Sequence, residues 1–162
     1  MKLIAAIAAS ACLLADASAQ EARIGFVSQE RIMRDAAPAK AASAKIEQEF
    51  SRRDRELQDL GNRLKAMSDK LDKDAAVLSD SDRGRRQREL SDLDKEFQRK
   101  RREFQEDLNQ RRNEELAAIL ERANRAIRQI AEAEKLDIVL QEAVYVAPRI
   151  DITDKVIKAL NK

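Results

Sequence analysis

The chain has 162 residues, of which 38% are charged and 3% aromatic, and it contains three glycines, two prolines and no histidine. A chain of this composition builds little globular core and favours long, solvated helices. Its formal charge of +2 is too close to balance for a strongly basic nucleic-acid-binding protein. The composition therefore favours an extended helical protein and argues against a nucleic-acid partner.

Residues that usually carry catalysis are scarce in this sequence. Besides lacking histidine, the chain has a single cysteine, Cys12, and no glycine-rich loop that could cradle a phosphate. Two carboxylate pairs, Asp92 with Glu96 and Glu103 with Asp107, lie in helical sequence rich in Arg and Lys. A general acid and base pair needs burial to separate its pKa values, so these carboxylates indicate a solvated helix face. We expect no enzymatic activity, no metal and no cofactor.

The N-terminus has the features of a cleavable signal peptide. Lys2 precedes an uncharged run from Leu3 to Ala15, which is shorter than the ~20 apolar residues that a transmembrane helix needs. The small residues Ala17 and Ala19 fit the site that signal peptidase cleaves. We therefore predict a signal peptide over residues 1–19, export of the chain and, in a bacterial cell, a periplasmic location. The mature chain would contain no cysteine.

A short strand and a short helix are predicted next. The residues from Ile24 to Val27 favour a strand, and Ser28 is a suitable start for a helix. The helix is expected to end near Pro38, because the residue before a proline is driven away from α geometry. Residues 20–38 are thus predicted to form one part of a base.

Residues 39–130 predict a long antiparallel helical hairpin, or arm. Seam positions recur in alternating steps of four and three from Ile46 to Leu78, and Arg53 and Asp74 are the two polar residues among them. Short polar residues at 79–84 predict the tip that joins the two helices. The predicted arm seam residues are Ile46, Phe50, Leu57, Leu60, Leu64, Met67, Leu71, Leu78, Leu90, Leu93, Phe97, Phe104 and Leu108.

The C-terminal segment 131–162 predicts a β-hairpin followed by a short helix. The runs Leu136–Leu140 and Val144–Val146 are rich in strand-forming residues. The last helix is predicted from Thr153 to Leu160, with Thr153 as a possible N-cap. A hairpin folded at the tip brings these strands next to the strand near residue 26. The predicted fold is therefore mostly α with a small β-body, from which the helical hairpin projects.

The predicted strands are too short to form a stable sheet alone, and their edges are open. Association of identical chains would pair these edges and bury the apolar side chains between them. The alternative is a monomer whose short helices cover the sheet. We expect an oligomer, because a chain of this size and composition has a poor core of its own. The residues expected to form the oligomer base are Ile24, Phe26, Ile138, Leu140, Val144 and Val146.

Basic residues cluster around the tip and along the returning helix. Between residues 83 and 112 there are eleven basic and seven acidic side chains. Clustered arginines can attract acidic polypeptides or anionic lipid headgroups, although charges of this kind also simply keep a long helix soluble. The candidate contacts for an acidic polypeptide partner or an anionic lipid are Arg83, Arg85, Arg86, Arg88, Arg99, Lys100, Arg101 and Arg102.

These features together resemble the periplasmic Skp chaperones, or OmpH-like proteins, over essentially the whole mature chain. The resemblance includes the opening strand Arg23–Val27, the charged hairpin, the strand Leu136–Leu140 and the ending Asp151–Ile157. The Asp-Ile-Thr-Asp pattern at the start of that ending is its most specific part.

The resemblance implies a homotrimer whose helical arms surround a cavity. Members of this family hold unfolded outer-membrane β-barrel proteins there without ATP and prevent their aggregation before membrane insertion. A lipopolysaccharide site has also been proposed for the family, and only the cluster from Arg83 to Arg88 is a candidate for it in this sequence. The alternative function is a structural coiled-coil spacer or adaptor of the cell envelope, which would explain the arms equally well.

Overall fold

The computed structural model describes residues 21–162, and the predicted signal peptide at residues 1–19 lies outside them. In chain order the elements are β1 (Ile24–Phe26), α1 (Gln29–Asp35), α2 (Ala37–Asp74), α3 (Asp80–Glu134), β2 (Ile138–Leu140), a 3₁₀ turn (Pro148–Ile150) and α4 (Thr153–Leu160). None of the helices within residues 21–162 is both long and apolar enough to cross a membrane.

Helices α2 and α3 form the long hairpin, which confirms the predicted fold class. Helix α2 has 38 residues and α3 has 55, so at ~1.5 Å per residue they extend about 57 and 82 Å. The two helices contact each other more extensively than any other two elements do. The short strands, α1 and α4 form the base from which the hairpin projects.

The first helix ends earlier than predicted, and Pro38 begins the next helix. Helix α1 starts after Ser28, whose side chain accepts a hydrogen bond from the Arg31 amide as predicted for an N-cap. It ends at Asp35, and Pro38 lies in the first turn of α2. A proline is tolerated there because the amide it lacks would have no helical partner in the first turn.

The tip lies a few residues before the segment at 79–84 that was predicted to form it. The chain turns at residues 75–79, and the polar cluster instead begins α3. The Ser79 hydroxyl accepts a hydrogen bond from the Asp82 amide at 3.1 Å and lies 2.7 Å from the Asp82 carboxylate. Short polar residues favour both turns and helix N-caps, and here the cap is formed.

The sheet has two parallel strands instead of the three that were predicted. Register partners are Ile24 with Ile138 and Phe26 with Leu140. Residues 144–146, the predicted second strand of a C-terminal hairpin, are not in a strand. Strand propensity depends on context: pairing along β1 is taken by β2 on one side and by a bridge to Asp151 on the other, and residues 144–146 do not pair with the open edge of β2.

The core lies where the base meets the root of the hairpin. Its buried residues are Val27, Ile32, Ala36, Ala39, Ala42, Ile119, Ala123, Ala126, Ile152 and Val156. They come from both ends of the chain and from the root of both long helices. Gly25 faces this core, and a Cβ there would lie 2.7 Å from the Leu136 Cδ1 atom, so the Leu136 side chain would have to shift to admit one.

A polar network built on the Asp-Ile-Thr-Asp pattern holds the two chain ends together. Arg31 pairs with Asp151 at 3.1 Å and also with Asp154. Thr153 was predicted to be a helix cap, but Ile152 occupies the N-cap position, and the buried Thr153 hydroxyl accepts a hydrogen bond from the distant Ser28 amide at 2.9 Å. Partial burial acts to raise the pKa of Asp151, but hydrogen bonds from Thr153 and the nearby Arg31 hold it below its ordinary value.

Candidate functional site

An open groove of about 970 Å³ runs along the root half of the hairpin. Small side chains on α2, among them Ala39, Ala42 and Ser43, line one part of it, while larger side chains of α3 such as Leu116 and Ile119 line another. Small residues on one helix leave space against larger residues on its neighbour. The remaining apolar side chains of the groove are Met33, Ile46, Phe50, Phe104 and Leu108.

An aromatic cluster gives the groove a fixed floor. The rings of Phe50 and Phe104 pack edge to face with their centroids 5.7 Å apart. The Arg53 guanidinium lies 5.6 Å from the Phe50 centroid and 5.8 Å from the Phe104 centroid, and it pairs with Asp107 at 2.7 Å. Aromatic packing and cation–π contacts of this kind favour one arrangement of the side chains. Arg53, the first of the two polar seam positions, thus stabilises the floor of the groove.

Charged side chains of both signs surround this apolar floor. Glu47, Asp54 and Glu115 contribute negative charge, while Arg55 and Arg112 contribute positive charge. An open apolar surface with a mixed charged rim can hold an extended amphipathic chain through many weak contacts. In residues 21–162 no three His, Cys, Asp or Glu side chains are grouped so that they could hold a metal ion.

The predicted seam residues all lie at least partly out of solvent. Phe50 and Leu60 are buried, and the other eleven are partly buried. Beyond Leu60, no side chain of the described hairpin is fully buried until Ile119. The distal part of the arm therefore has a thin apolar seam.

The eight basic candidates divide into two groups. At the tip, Arg83 donates a hydrogen bond to the Ala75 carbonyl at 2.5 Å and Arg86 pairs with Asp74 at 2.7 Å. These two arginines hold the last turn of α2 against α3.

The other six basic candidates are more exposed than Arg83 and Arg86. Arg85, Arg99 and Lys100 form ion pairs within α3. Arg88, Arg101 and Arg102 are exposed and make no ion pair with another described residue. The last three are the cations most available to an anionic partner.

The predicted oligomer base presents an apolar face to solvent in the single chain. Ile24, Ile138 and Leu140 are 39%, 48% and 38% exposed, and Val144 is fully exposed. Phe26 and Val146 are partly buried. Side chains of register partners in a parallel pair lie on the same face of the sheet, so Ile24, Phe26, Ile138 and Leu140 form one continuous patch. The opposite face, with Gly25, is turned to the core.

The groove is the feature that the sequence did not reveal. Its apolar wall includes Met33 from α1, and its rim includes Arg55 and Arg112, none of which was predicted to belong to a site. The run of small residues from Ala37 to Ala44 was the available signal, since such a run thins a helix wherever it packs against another.

Comparisons with known proteins agree with this architecture. Residues 23–160 match the family described as Outer membrane protein (OmpH-like). The chain is 30% identical to Chaperone protein Skp of Yersinia enterocolitica, with 97% of both chains covered, and 32% identical to Chaperone protein Skp of Pectobacterium atrosepticum, with 90% of both covered.

A solved structure has the same fold. It is that of an OmpH-like outer membrane chaperone from Caulobacter crescentus, with a TM-score of 0.71 at 21% identity, covering 86% of this chain and 84% of that one. At this identity the likeness establishes the fold, while the family match and the two relatives establish kinship. The chain belongs to the Skp/OmpH-like chaperone family.

Proposed function

We propose that this protein is an ATP-independent periplasmic holdase that binds unfolded outer-membrane proteins along its helical arms and prevents their aggregation before membrane insertion. The observation that carries the proposal is the open apolar groove at the root of the hairpin, with Phe50 and Phe104 in its floor. The names of the relatives, all chaperones, support the same class of function.

The chemistry of the groove suits this kind of client. Strands of outer-membrane β-barrels alternate apolar and polar residues, and an unpaired strand of this kind aggregates readily. An extended segment can place its apolar side chains on the groove floor and its polar groups near the mixed charges of the rim. Contacts of this kind are weak and exchangeable, so the client stays unfolded and no nucleotide is needed for its release.

We further propose that the mature protein is a homotrimer. Ile24, Ile138 and Leu140 form an exposed apolar patch, Val144 is also fully exposed, and an apolar surface of this kind marks an interaction site. Three copies joined through this base would direct three hairpins to one side and surround a cavity, as the family resemblance implies. Residues 1–19 would deliver the chain to the periplasm. Arg88, Arg101 and Arg102 would contribute attraction to acidic clients or to anionic lipid, including lipopolysaccharide.

The proposal can be tested by following the light scattering of an outer-membrane β-barrel protein that is diluted from urea with and without the purified chain. We expect one oligomer per client to suppress aggregation in the absence of nucleotide. The variant L116D, which introduces a charge into the groove, should suppress it several-fold less well. A spacer or adaptor would leave aggregation unchanged in all cases.

The matched control is V77D. Val77 is also an exposed apolar residue of the hairpin, 84% exposed at the tip and outside the groove. We expect V77D to suppress aggregation as well as the unmodified protein does. Equal losses for L116D and V77D would refute the assignment of the groove as the binding surface.

A further inference from the structure

Four ion pairs join α2 to α3 in residues 21–162, and all four share one register. The residue numbers of the two partners add to 160 in each pair. This constant total describes an antiparallel hairpin in which one flank is paired without slippage from root to tip. The pairs, which we call the ladder, are Lys45 with Glu115 at 3.6 Å, Glu49 with Arg111 at 3.2 Å, Arg53 with Asp107 at 2.7 Å, and Asp74 with Arg86 at 2.7 Å.

The signs of the charges alternate along the root part of the ladder. On α2, Lys45, Glu49 and Arg53 are spaced four residues apart and carry positive, negative and positive charge. Residues four apart lie on the same face of a helix, so these charges form one stripe. Their partners on α3 carry the opposite signs in the same order.

A slip of one helical turn would place like charges together. If α3 moved by four residues in one direction, Glu49 would face Glu115 and Arg53 would face Arg111. If it moved by four residues in the other direction, Lys45 would face Arg111. Like charges that face each other across two helices repel, and such repulsion is a common way to exclude a wrong register.

The same slip in the other direction would also bring Glu49 next to Asp107. There are thus three registers to compare: the observed one and the two that are slipped by one turn. Every charge of the root ladder meets its opposite in the observed register alone.

The apolar seam alone discriminates poorly between these registers. It has polar breaks at Arg53 and Asp74, and the described hairpin has no fully buried side chain between residues 61 and 118. Because residues four apart share a face, a slip of one turn would still place apolar residues against apolar residues. Partly exposed ion pairs add little net stability, but repulsion between like charges can still separate two nearly equal packings.

We infer that the alternating signs of the root ladder fix the register of the hairpin by excluding a slip of one helical turn. The register determines which residues of α3 meet Phe50 and Ala42, so it also determines the shape of the groove. This inference goes beyond the proposed function, because it concerns the hairpin itself and holds whether or not a client is bound.

The test exchanges the partners of one pair and measures the register directly. In E49R/R111E every pair of the observed register still joins opposite charges, but the alternation is lost. A slip of one turn then brings the arginine introduced at position 49 to Glu115, and it brings Arg53 to the glutamate introduced at position 111. Both of these new pairs attract. The opposite slip brings Lys45 to the introduced glutamate and the introduced arginine to Asp107, and these pairs attract as well, so we expect this variant to populate slipped registers beside the observed one.

Spin labels on α2 and α3 report the register as a distance. Gln48 and Ser91 are exposed and uncharged, and cysteines can be placed there in a chain carrying Cys12→Ser. In the observed register the two positions are offset by 21 residues along the hairpin, or about 32 Å at ~1.5 Å per residue. Double electron–electron resonance on labelled chains diluted with unlabelled ones should give a single distance that reflects this offset, and E49R/R111E should add distances about 6 Å shorter or longer.

The matched control is D74R/R86D, which exchanges the partners of the distal pair and leaves the alternation at the root unchanged. We expect it to give one distance. The inference is overturned if E49R/R111E also gives one unshifted distance, or if both variants give more than one. Should E49R/R111E lose its helical circular dichroism signal, E49Q/R111Q and D74Q/R86Q provide the same comparison, with the same expected contrast.

Discussion

The root and the distal part of this molecule are built differently. At the root, both chain ends, α1, α4, the start of α2 and the last third of α3 share one core whose members are almost fully buried. From residue 61 to residue 118, around the tip, the hairpin has side chains that are at best partly buried. The difference teaches that one chain can combine a rigid platform with a thin, adaptable arm. It does so by placing its small apolar content mainly at one end.

The largest expected effect comes from truncating a core side chain of the base. Ile32 is 2% exposed, so Ile32→Ala should lower the free energy of unfolding by about 2–5 kcal/mol, since it leaves a cavity in the core. Leu93→Ala in the distal arm should cost about 1 kcal/mol, because Leu93 is only partly buried. Urea denaturation at one fixed protein concentration measures both. Equal costs would mean that the two regions are equally well packed.

A smaller effect is expected at the tip, where Arg83 holds the end of α2. Arg83→Ala removes a hydrogen bond to the Ala75 carbonyl, so it should destabilise the hairpin by about 1 kcal/mol. Arg88→Ala should cost at most about 0.5 kcal/mol, because Arg88 is exposed. Thermal unfolding followed by circular dichroism distinguishes the two. If Arg88→Ala were the more harmful change, the assignment of Arg83 as a clamp would be wrong.

The smallest expected effect is a loss of stability of the base at acid pH. Asp151 has a lowered pKa in the folded state, so its stabilising contribution is complete above the unfolded-state pKa of about 3.9. That contribution is lost as the pH falls through the folded-state value. Urea midpoints measured from pH 6 down to pH 3 should show the loss.

Two variants sharpen this pH experiment. Asp151→Asn should already be less stable at pH 6 and should show a weaker dependence on acid. Asp154→Asn should behave nearly like the unmodified protein, because the Asp154 side chain is 83% exposed. An unchanged acid dependence in Asp151→Asn would show that other carboxylates are responsible.

The sequence predicts those features that depend on local pattern. The steps of four and three from Ile46 to Leu78 predict the hairpin, and Ser28 predicts the start of α1, because periodicity and capping are properties of neighbouring residues. The strand pair at the two chain ends also follows once the hairpin is folded at its tip. The family resemblance follows from the same elements in the same order.

Other features depend on contacts between distant residues. Thr153 suits an N-cap locally, but its hydroxyl bonds to the distant Ser28 amide. Val144 and its neighbours favour a strand, yet they do not pair with the open edge of β2 in the single chain. The groove needs the small residues near Ala42 to lie opposite Leu116. Only the register of the hairpin brings them there, and no local pattern shows that register.

The central claim is that an unfolded client lies in the root groove, and photo-crosslinking tests it most directly. A photoreactive benzoylphenylalanine is placed at position 116 in the groove or at position 77 at the tip, both sites of exposed apolar side chains. Each variant is mixed with an outer-membrane β-barrel protein diluted from urea and is then irradiated. The account predicts strong crosslinks from position 116 and weak ones from position 77. Crosslinks of equal yield from both positions, or from position 77 alone, would contradict it.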